Sequence, residues 1–70
     1  MKYLMRITYL PTGVVFSSKH MEVTEVEYNQ IKELLEKLEN MNYLSFPSND
    51  RILYFPNSVL KNSMVSVELV

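Results

Sequence analysis

The chain of 70 residues contains no cysteine and no tryptophan, and its only glycine is Gly13. Without cysteine it can form neither a disulfide nor a thiolate metal site. A single glycine also excludes the glycine-rich loops that cradle phosphate groups in nucleotide enzymes. A small domain without disulfides or a structural metal depends on a dense apolar core, on association with another chain, or on both.

The sequence also lacks a long apolar run and a strong net charge. No run approaches the roughly 18 apolar residues that a membrane span needs, and the net charge is −1. We therefore expect no membrane association and no secretory signal peptide. A cysteine-free chain fits the reducing cytoplasm, which is the location we expect. The composition, with 47% hydrophobic and 21% charged residues, is typical of a folded domain.

The side-chain pattern and a turn motif predict two strands at the start of the chain. In residues 2–10 one side of the first strand is apolar and the other side is mixed. The motif "LPTG" then provides a turn, because proline presets its backbone and Gly13 tolerates a left-handed conformation. We expect the second strand to run from Val14 to about Met21.

One helix has the clearest local signals, and we expect it from about Glu25 to Asn40. Thr24 followed by Glu27 forms a capping box, in which each side chain accepts a hydrogen bond from the backbone N–H of the other residue. An apolar stripe repeats at helical spacing after this cap. Its predicted members are Tyr28, Ile31, Leu35 and Leu38, widened by Leu34 and Met41.

The remaining residues predict three short strands and a single helical turn. "NYLSF" and Arg51–Phe55 flank the turn sequence "PSND", "NSVLKNS" forms a helical turn capped by Asn57 or Ser58, and residues 64–70 are the last strand. The order β-β-α-β-β-β predicts one α+β domain over residues 1–70. We expect a mainly antiparallel sheet with the helix packed on it. The alternative is a small curled β-barrel with an inserted helix.

Two strands have more apolar side chains than one helix can cover. The first strand carries Leu4 and Leu10 opposite its apolar side, and the strand Arg51–Phe55 is apolar on both sides. A curled barrel would bury this excess, and so would pairing with another copy. We therefore predict a homo-oligomer, most simply a two-fold dimer. The residues we expect at its interface are Leu4, Arg6, Leu10, Leu53 and Phe55.

Nothing in the sequence points to catalysis. His20, the single histidine, and Glu22 are two residues apart in the predicted second strand and would share a face. Two such ligands fall short of the three that a catalytic zinc site usually has. Asp50 is the only aspartate, and no serine lies in a nucleophile motif. We expect no enzymatic activity, no metal and no cofactor.

Nucleic-acid binding is the alternative that we weigh against protein binding. Six aromatic residues on predicted strands could stack on bases, with Arg6, Lys19 and Arg51 near phosphates. The six are Tyr3, Tyr9, Phe16, Tyr43, Tyr54 and Phe55. The basic residues are scattered and the chain is slightly acidic, so the expected electrostatic footprint is missing. The acidic helix surface is typical of an ordinary solvated helix.

The C-terminal segment reads "ILYFPNSVLKNSMVSVEL", and the composition is rich in Lys, Asn, Ile and Tyr. In both features the chain resembles small proteins of phages and prophages of low-GC Gram-positive bacteria. No functional residue transfers through this resemblance. It implies an accessory factor that binds and modulates a host protein or a defence system. Some such factors sequester a small molecule between subunits. Together with the apolar excess, this predicts a non-enzymatic interaction protein in the cytoplasm of a bacterial host.

Overall fold

The computed structural model describes all residues from Met1 to Val70. It contains six strands, one main helix and one helical turn, so the predicted α+β class and antiparallel pairing are confirmed. The elements are β1 (Lys2–Tyr9), β2 (Val14–Ser17), β3 (Met21–Glu22), α1 (Glu25–Glu36), β4 (Tyr43–Ser48), β5 (Arg51–Pro56), α2 (Asn57–Leu60) and β6 (Ser63–Leu69). The sheets stay open, and the curled-barrel alternative is wrong.

β1 is the central strand of the main sheet. Along one edge it pairs antiparallel with β6, from Tyr3 opposite Leu69 to Tyr9 opposite Ser63. Along the other edge it pairs with β2 and then with β3. The central position explains why β1 has the most buried residues of any strand, since its inward side chains meet the core and have neighbours on both sides.

The predicted second strand is interrupted by a bulge, which is why β2 and β3 are separate. Two residues of β1 lie opposite three residues of the partner segment, Ser18 to His20, because Arg6 pairs with Ser17 while Tyr3 pairs with Met21. At this bulge, the hydrogen bonds to the Met5 backbone come from the backbone and the side chain of Ser18. Its N–H donates to the Met5 carbonyl at 2.8 Å, and its Oγ accepts from the Met5 N–H at 2.9 Å.

The capping box starts α1 as predicted. The Glu27 N–H donates to Thr24 Oγ1 at 3.2 Å, and the Thr24 N–H donates to Glu27 Oε1 at 3.0 Å. The helix is shorter than expected, because after Glu36 the backbone tightens into a 3₁₀ turn at Leu38–Asn40. No side chain of α1 is buried, and Leu34, a predicted member of its apolar stripe, is exposed.

β4 and β5 form a separate two-stranded hairpin that ends in the predicted turn. Ser48 pairs with Arg51, which leaves Asn49 and Asp50 as the loop. Asn49 has a φ of 53°, a left-handed conformation that asparagine tolerates better than most residues. The hairpin is attached to the main sheet by two hydrogen bonds, from the Lys19 N–H to the Pro47 carbonyl and from Ser48 Oγ to the Ser17 carbonyl.

Asn57 joins the end of the helical region to α2 in a way the sequence did not predict. Its backbone N–H donates to the Asn42 carbonyl at 2.9 Å, and its side-chain amide donates to the Met41 carbonyl at 2.8 Å. The N-cap of α2 is Pro56 and makes no side-chain capping bond, so the predicted cap by Asn57 or Ser58 is wrong.

The core lies between the main sheet, the hairpin and α2. Ile7 at its centre has no exposed surface. The rings of Phe46 and Phe55 are 5.2 Å apart within the hairpin, and Phe16 of β2 meets Phe55 at 5.4 Å in an edge-to-face contact. Only eight of the 70 residues are buried, so the interior is thin for a chain with so many apolar residues. The buried apolar cluster is Tyr3, Met5, Ile7, Phe46, Phe55 and Leu60.

Candidate interaction surface

One side of the β4–β5 hairpin turns away from the core. Cross-strand partners share a face, so Leu44 with Phe55 and Phe46 with Leu53 point inward. The alternate residues therefore point outward. We call this set the hairpin face: Tyr43, Ser45, Pro47, Ile52, Tyr54 and Pro56.

The hairpin face is apolar, exposed and free of charged side chains. Tyr43 is 60% exposed, Ile52 58% and Tyr54 67%. The two tyrosine rings lie diagonally across the hairpin, with centroids 6.4 Å apart and planes tilted by 41°. Exposed apolar residues are ordinary when scattered, but a contiguous set of this kind is typical of a binding surface.

An apolar cavity of about 300 Å³ opens beside this face. Tyr54 belongs to both features, because it lines the cavity and also lies on the hairpin face. The edge-to-face contact of Phe16 with Phe55 forms part of the cavity wall. The volume is at the lower limit for a small-molecule site and suits one apolar side chain of a partner. The cavity is lined by Tyr9, Phe16, Leu53, Tyr54, Phe55 and Val59.

The five residues that we expected at an interface lie in different parts of the structure and differ in exposure. Leu4 is buried on the face of the main sheet that points away from the core, beside the exposed Arg6, and Leu10 is exposed just after β1. Phe55 is buried and Leu53 half-buried, and both line the cavity. Leu4 and Phe55 are therefore not accessible at the surface of a single chain. The hairpin face contains none of the five.

The hairpin face could have been identified from the turn sequence. A two-residue loop at Asn49 and Asp50 fixes the register of β4 against β5. That register pairs Leu44 and Phe46 with Phe55 and Leu53, so these four apolar side chains share one face and point inward. Ile52 and Tyr54 are left on the outside.

The other sequence candidates are scattered over the molecule. His20 is exposed and lies in the bulge rather than in a strand. The prediction that it shares a strand face with Glu22 is therefore wrong. No three His, Asp or Glu side chains are close enough together to hold a metal ion. Of the six aromatic residues that we considered for base stacking, Tyr3 and Phe55 are buried and only Tyr43 and Tyr54 are exposed.

Comparisons of the chain with protein-family models, with curated proteins and with solved structures found no significant match. None of its helices combines the length and the apolar character required to span a bilayer.

Proposed function

We propose that this protein is a non-enzymatic interaction protein that binds a partner protein through the hairpin face. The observation that carries the proposal is the exposed, uncharged trio of Tyr43, Ile52 and Tyr54 beside an open apolar cavity. Aromatic residues next to a well-formed pocket are the side chains that contribute most binding energy in protein interfaces.

The chemistry of the hairpin face restricts its partner. Because the face has no charged side chain, the matching surface should also lack charge, since a buried unpaired charge is costly. The cavity accepts one aliphatic or aromatic side chain as an anchor. The tyrosine hydroxyls can form hydrogen bonds at the rim of the contact. The partner is thus a protein segment with one apolar anchor and uncharged flanking residues.

We include self-association and a bacterial setting in the proposal. The thin core and the many exposed apolar residues support a homo-oligomer. The resemblance to phage and prophage proteins supports a cytoplasmic accessory factor that modulates a host protein.

Direct binding by matched variants tests the use of the hairpin face. A protein captured from lysate of a Gram-positive host would be purified and titrated calorimetrically with the wild-type chain and with Tyr54→Ser. Truncation of an interface tyrosine costs about 2 kcal/mol, which corresponds to roughly 30-fold weaker binding. Leu34→Ser is the matched control, because Leu34 is 55% exposed but lies on α1. Equal losses in both variants, or none in Tyr54→Ser, would contradict the proposal.

Nucleic-acid binding remains the second candidate, because the exposed rings of Tyr43 and Tyr54 could stack on bases. The two functions differ in their response to salt. Phosphate contacts release counterions, so nucleic-acid binding weakens steeply as salt rises. Binding through the uncharged hairpin face should change little between low and physiological salt. A steep salt dependence that persists in Leu34→Ser would favour the nucleic-acid function.

A further inference from the structure

The outer edge of β6 is an unpaired strand edge. At the two ends of the β1–β6 ladder, the Val70 N–H donates to the Lys2 carbonyl and the Leu10 N–H donates to the Asn62 carbonyl, each at 3.0 Å. Hydrogen-bonded pairs alternate along an antiparallel ladder, so the even-numbered residues of β6 are the ones bonded to β1. Ser63, Val65, Val67 and Leu69 therefore direct their N–H and C=O groups away from β1.

No other part of the chain satisfies these groups. β6 pairs with no strand except β1. None of the backbone hydrogen bonds outside the strands and helices, and none of the side-chain hydrogen bonds, uses the N–H or C=O of these four residues. Four donors and four acceptors lie in a row along one edge, which is a template for another strand.

Each of the other strand edges contains a proline or a bulge, whereas the β6 edge contains neither. Pro47 lies in β4 and Pro56 ends β5, and proline cannot donate to an added strand. The β2–β3 edge is interrupted by the bulge at Ser18. β6 has no proline, and its register against β1 is continuous. Its one charged residue, Glu68, is held by Arg6 at 2.8 Å.

We propose that β6 pairs antiparallel with β6 of a second copy across a two-fold axis at Ser66, so that one sheet runs through both chains. This rests on the self-association included in the proposed function. In this register Val65 lies opposite Val67 of the second copy, and Ser63 lies opposite Leu69 of the second copy. All four outward-directed residues then find partners. A two-fold axis at Val65 or Val67 would leave some of them beyond the end of β6.

Side-chain chemistry also fits an axis at Ser66. The two Ser66 residues would form a non-hydrogen-bonded pair, the type in which side chains are closest, and serine is small enough for it. Glu68 would lie opposite Met64 of the second copy, so the like charges are not directly opposed. Val65 and Val67 are half-buried against the core, and their pairing across the axis would extend that core into the second chain.

The exposed area of the single chain is slightly larger than that of a compact monomer. A compact monomer of 8.3 kDa is expected to expose about 4,600 Å², and this chain exposes 4936 Å². Edge pairing of one strand buries less than a standard interface, so we expect a dimer with a dissociation constant of about micromolar.

The first test is sedimentation of the wild-type chain and of Ser66→Lys over a dilution series. Two lysines would meet at the axis, and we expect the dimer dissociation constant to rise by at least about tenfold. Ser17→Lys is the matched control: Ser17 and Ser66 lie opposite Arg6 from its two sides, but Ser17 is on the β2 edge. A monomeric wild type, or a dimer equally stable in Ser66→Lys, would overturn the proposal.

A charge-exchange experiment tests the position of the axis. Ser66→Lys and Ser66→Glu should each weaken the dimer alone, and mixing them should restore it, because position 66 meets itself only at this axis. Restoration identifies the register, and failure to restore overturns it. Circular dichroism of each variant verifies that the monomer is folded. Amide exchange adds an independent measurement, since the Val65 and Val67 N–H groups should become protected as concentration rises while that of Glu68 stays protected throughout.

The same variants separate this inference from the proposed function. If Tyr54→Ser abolishes partner binding and leaves the dimer intact, while Ser66→Lys weakens the dimer, both proposals stand. If Tyr54→Ser dissolves the dimer and Ser66→Lys does not, the second copy binds the hairpin face and the β6 edge proposal is overturned. Loss of the dimer in Ser66→Lys with no effect of Tyr54→Ser on partner binding contradicts the hairpin face alone.

Discussion

Arg6 Nη1 lies 2.8 Å from Glu68 Oε1, and this ion pair connects β1 to β6 on the side of the main sheet that faces away from the core. It is the only ion pair between side chains in the structure. Leu4 is the cross-strand partner of Glu68 and shares this side with Arg6. The pair therefore lies next to the one buried leucine outside the core cluster, and its aliphatic stems can shield that side chain from water.

The Arg6–Glu68 pair should contribute little to stability. Both side chains are nearly half exposed, and exposed pairs measured by double-mutant cycles contribute about 0.2–1 kcal/mol. We expect Arg6→Gln combined with Glu68→Gln to show a coupling in this range by urea denaturation. Added salt should reduce it further, because exposed charges are screened. A coupling above 2 kcal/mol would show that the pair acts as a buried one.

Ile7 should be the most sensitive position in the core. Its side chain is fully buried at the centre of β1, and replacement of such a residue by alanine leaves a cavity that costs about 2–5 kcal/mol. Domains of this size have little stability to lose. We therefore expect Ile7→Ala to be largely unfolded and Ile7→Val to lose about 0.5–1.5 kcal/mol, measured by thermal and urea unfolding.

Leu34→Ala provides the contrast for Ile7, since Leu34 is exposed on α1. Its loss exposes no core, and alanine has a slightly better helix propensity. The variant should unfold within about 0.5 kcal/mol of the wild type. A large destabilisation would mean that α1 is covered in solution, by a second copy or otherwise.

The sequence predicted local features better than it predicted burial. The capping box at Thr24 and the turn at Asn49 depend on side chains a few residues apart, and both are present as expected. Burial depends on which face each element turns toward distant elements. The stripe of α1 predicted Leu34 as part of the contact, yet the helix lies on the core without burying any side chain.

The same step separates the predicted interface residues from the exposed hairpin face. Both sides of β5 are apolar, so periodicity alone could not decide whether Ile52 and Tyr54 or Leu53 and Phe55 face the core. The decision comes from the register with β4, where Phe46 pairs with Leu53. The bulge at Ser18 was equally hidden, because a serine side chain that replaces a ladder bond has no signature in a single sequence.

The capping box should make stability fall in acid. The Thr24 N–H donates to the Glu27 carboxylate and, with a smaller effect of the Thr24 side chain, holds the pKa of Glu27 below its ordinary value of 4.5. A lowered pKa in the folded state stabilises the protein above the unfolded pKa, and this contribution disappears as pH falls through the folded value. Glu27→Gln should keep the capping geometry and remove this pH dependence.

Thr24→Ala distinguishes the cap itself from its titration. It removes the acceptor for the Glu27 N–H and should cost about 0.5–2 kcal/mol at neutral pH. Urea denaturation at several pH values between neutral and strongly acidic would compare the two variants with the wild type. If Glu27→Gln loses stability in acid as steeply as the wild type, another group carries the acid sensitivity.

Tyr3 should make the protein less stable in alkali. Burial, and to a smaller extent the charge of Glu27, raises the pKa of the Tyr3 phenol above its ordinary value of 10.0. The hydroxyl lies 3.7 Å from Met21 Sδ, and the ring meets Tyr28 edge to face at 6.3 Å. The folded state holds the phenol proton more tightly than the unfolded state, so the contribution is complete below pH 10 and is lost as pH rises through the folded pKa.

Tyr3→Phe should remove this alkaline loss while preserving the ring contacts. We expect the difference in unfolding free energy between the wild type and the variant to be constant up to about pH 10 and then to shift in favour of the variant. Ultraviolet absorbance of the phenolate should show one tyrosine fewer ionising late in the titration. Parallel loss of stability in both proteins would assign the alkaline transition to other groups. Because the Tyr3 ring meets Tyr28 of α1 edge to face, ionisation of Tyr3 should also weaken this contact between the main sheet and the helix.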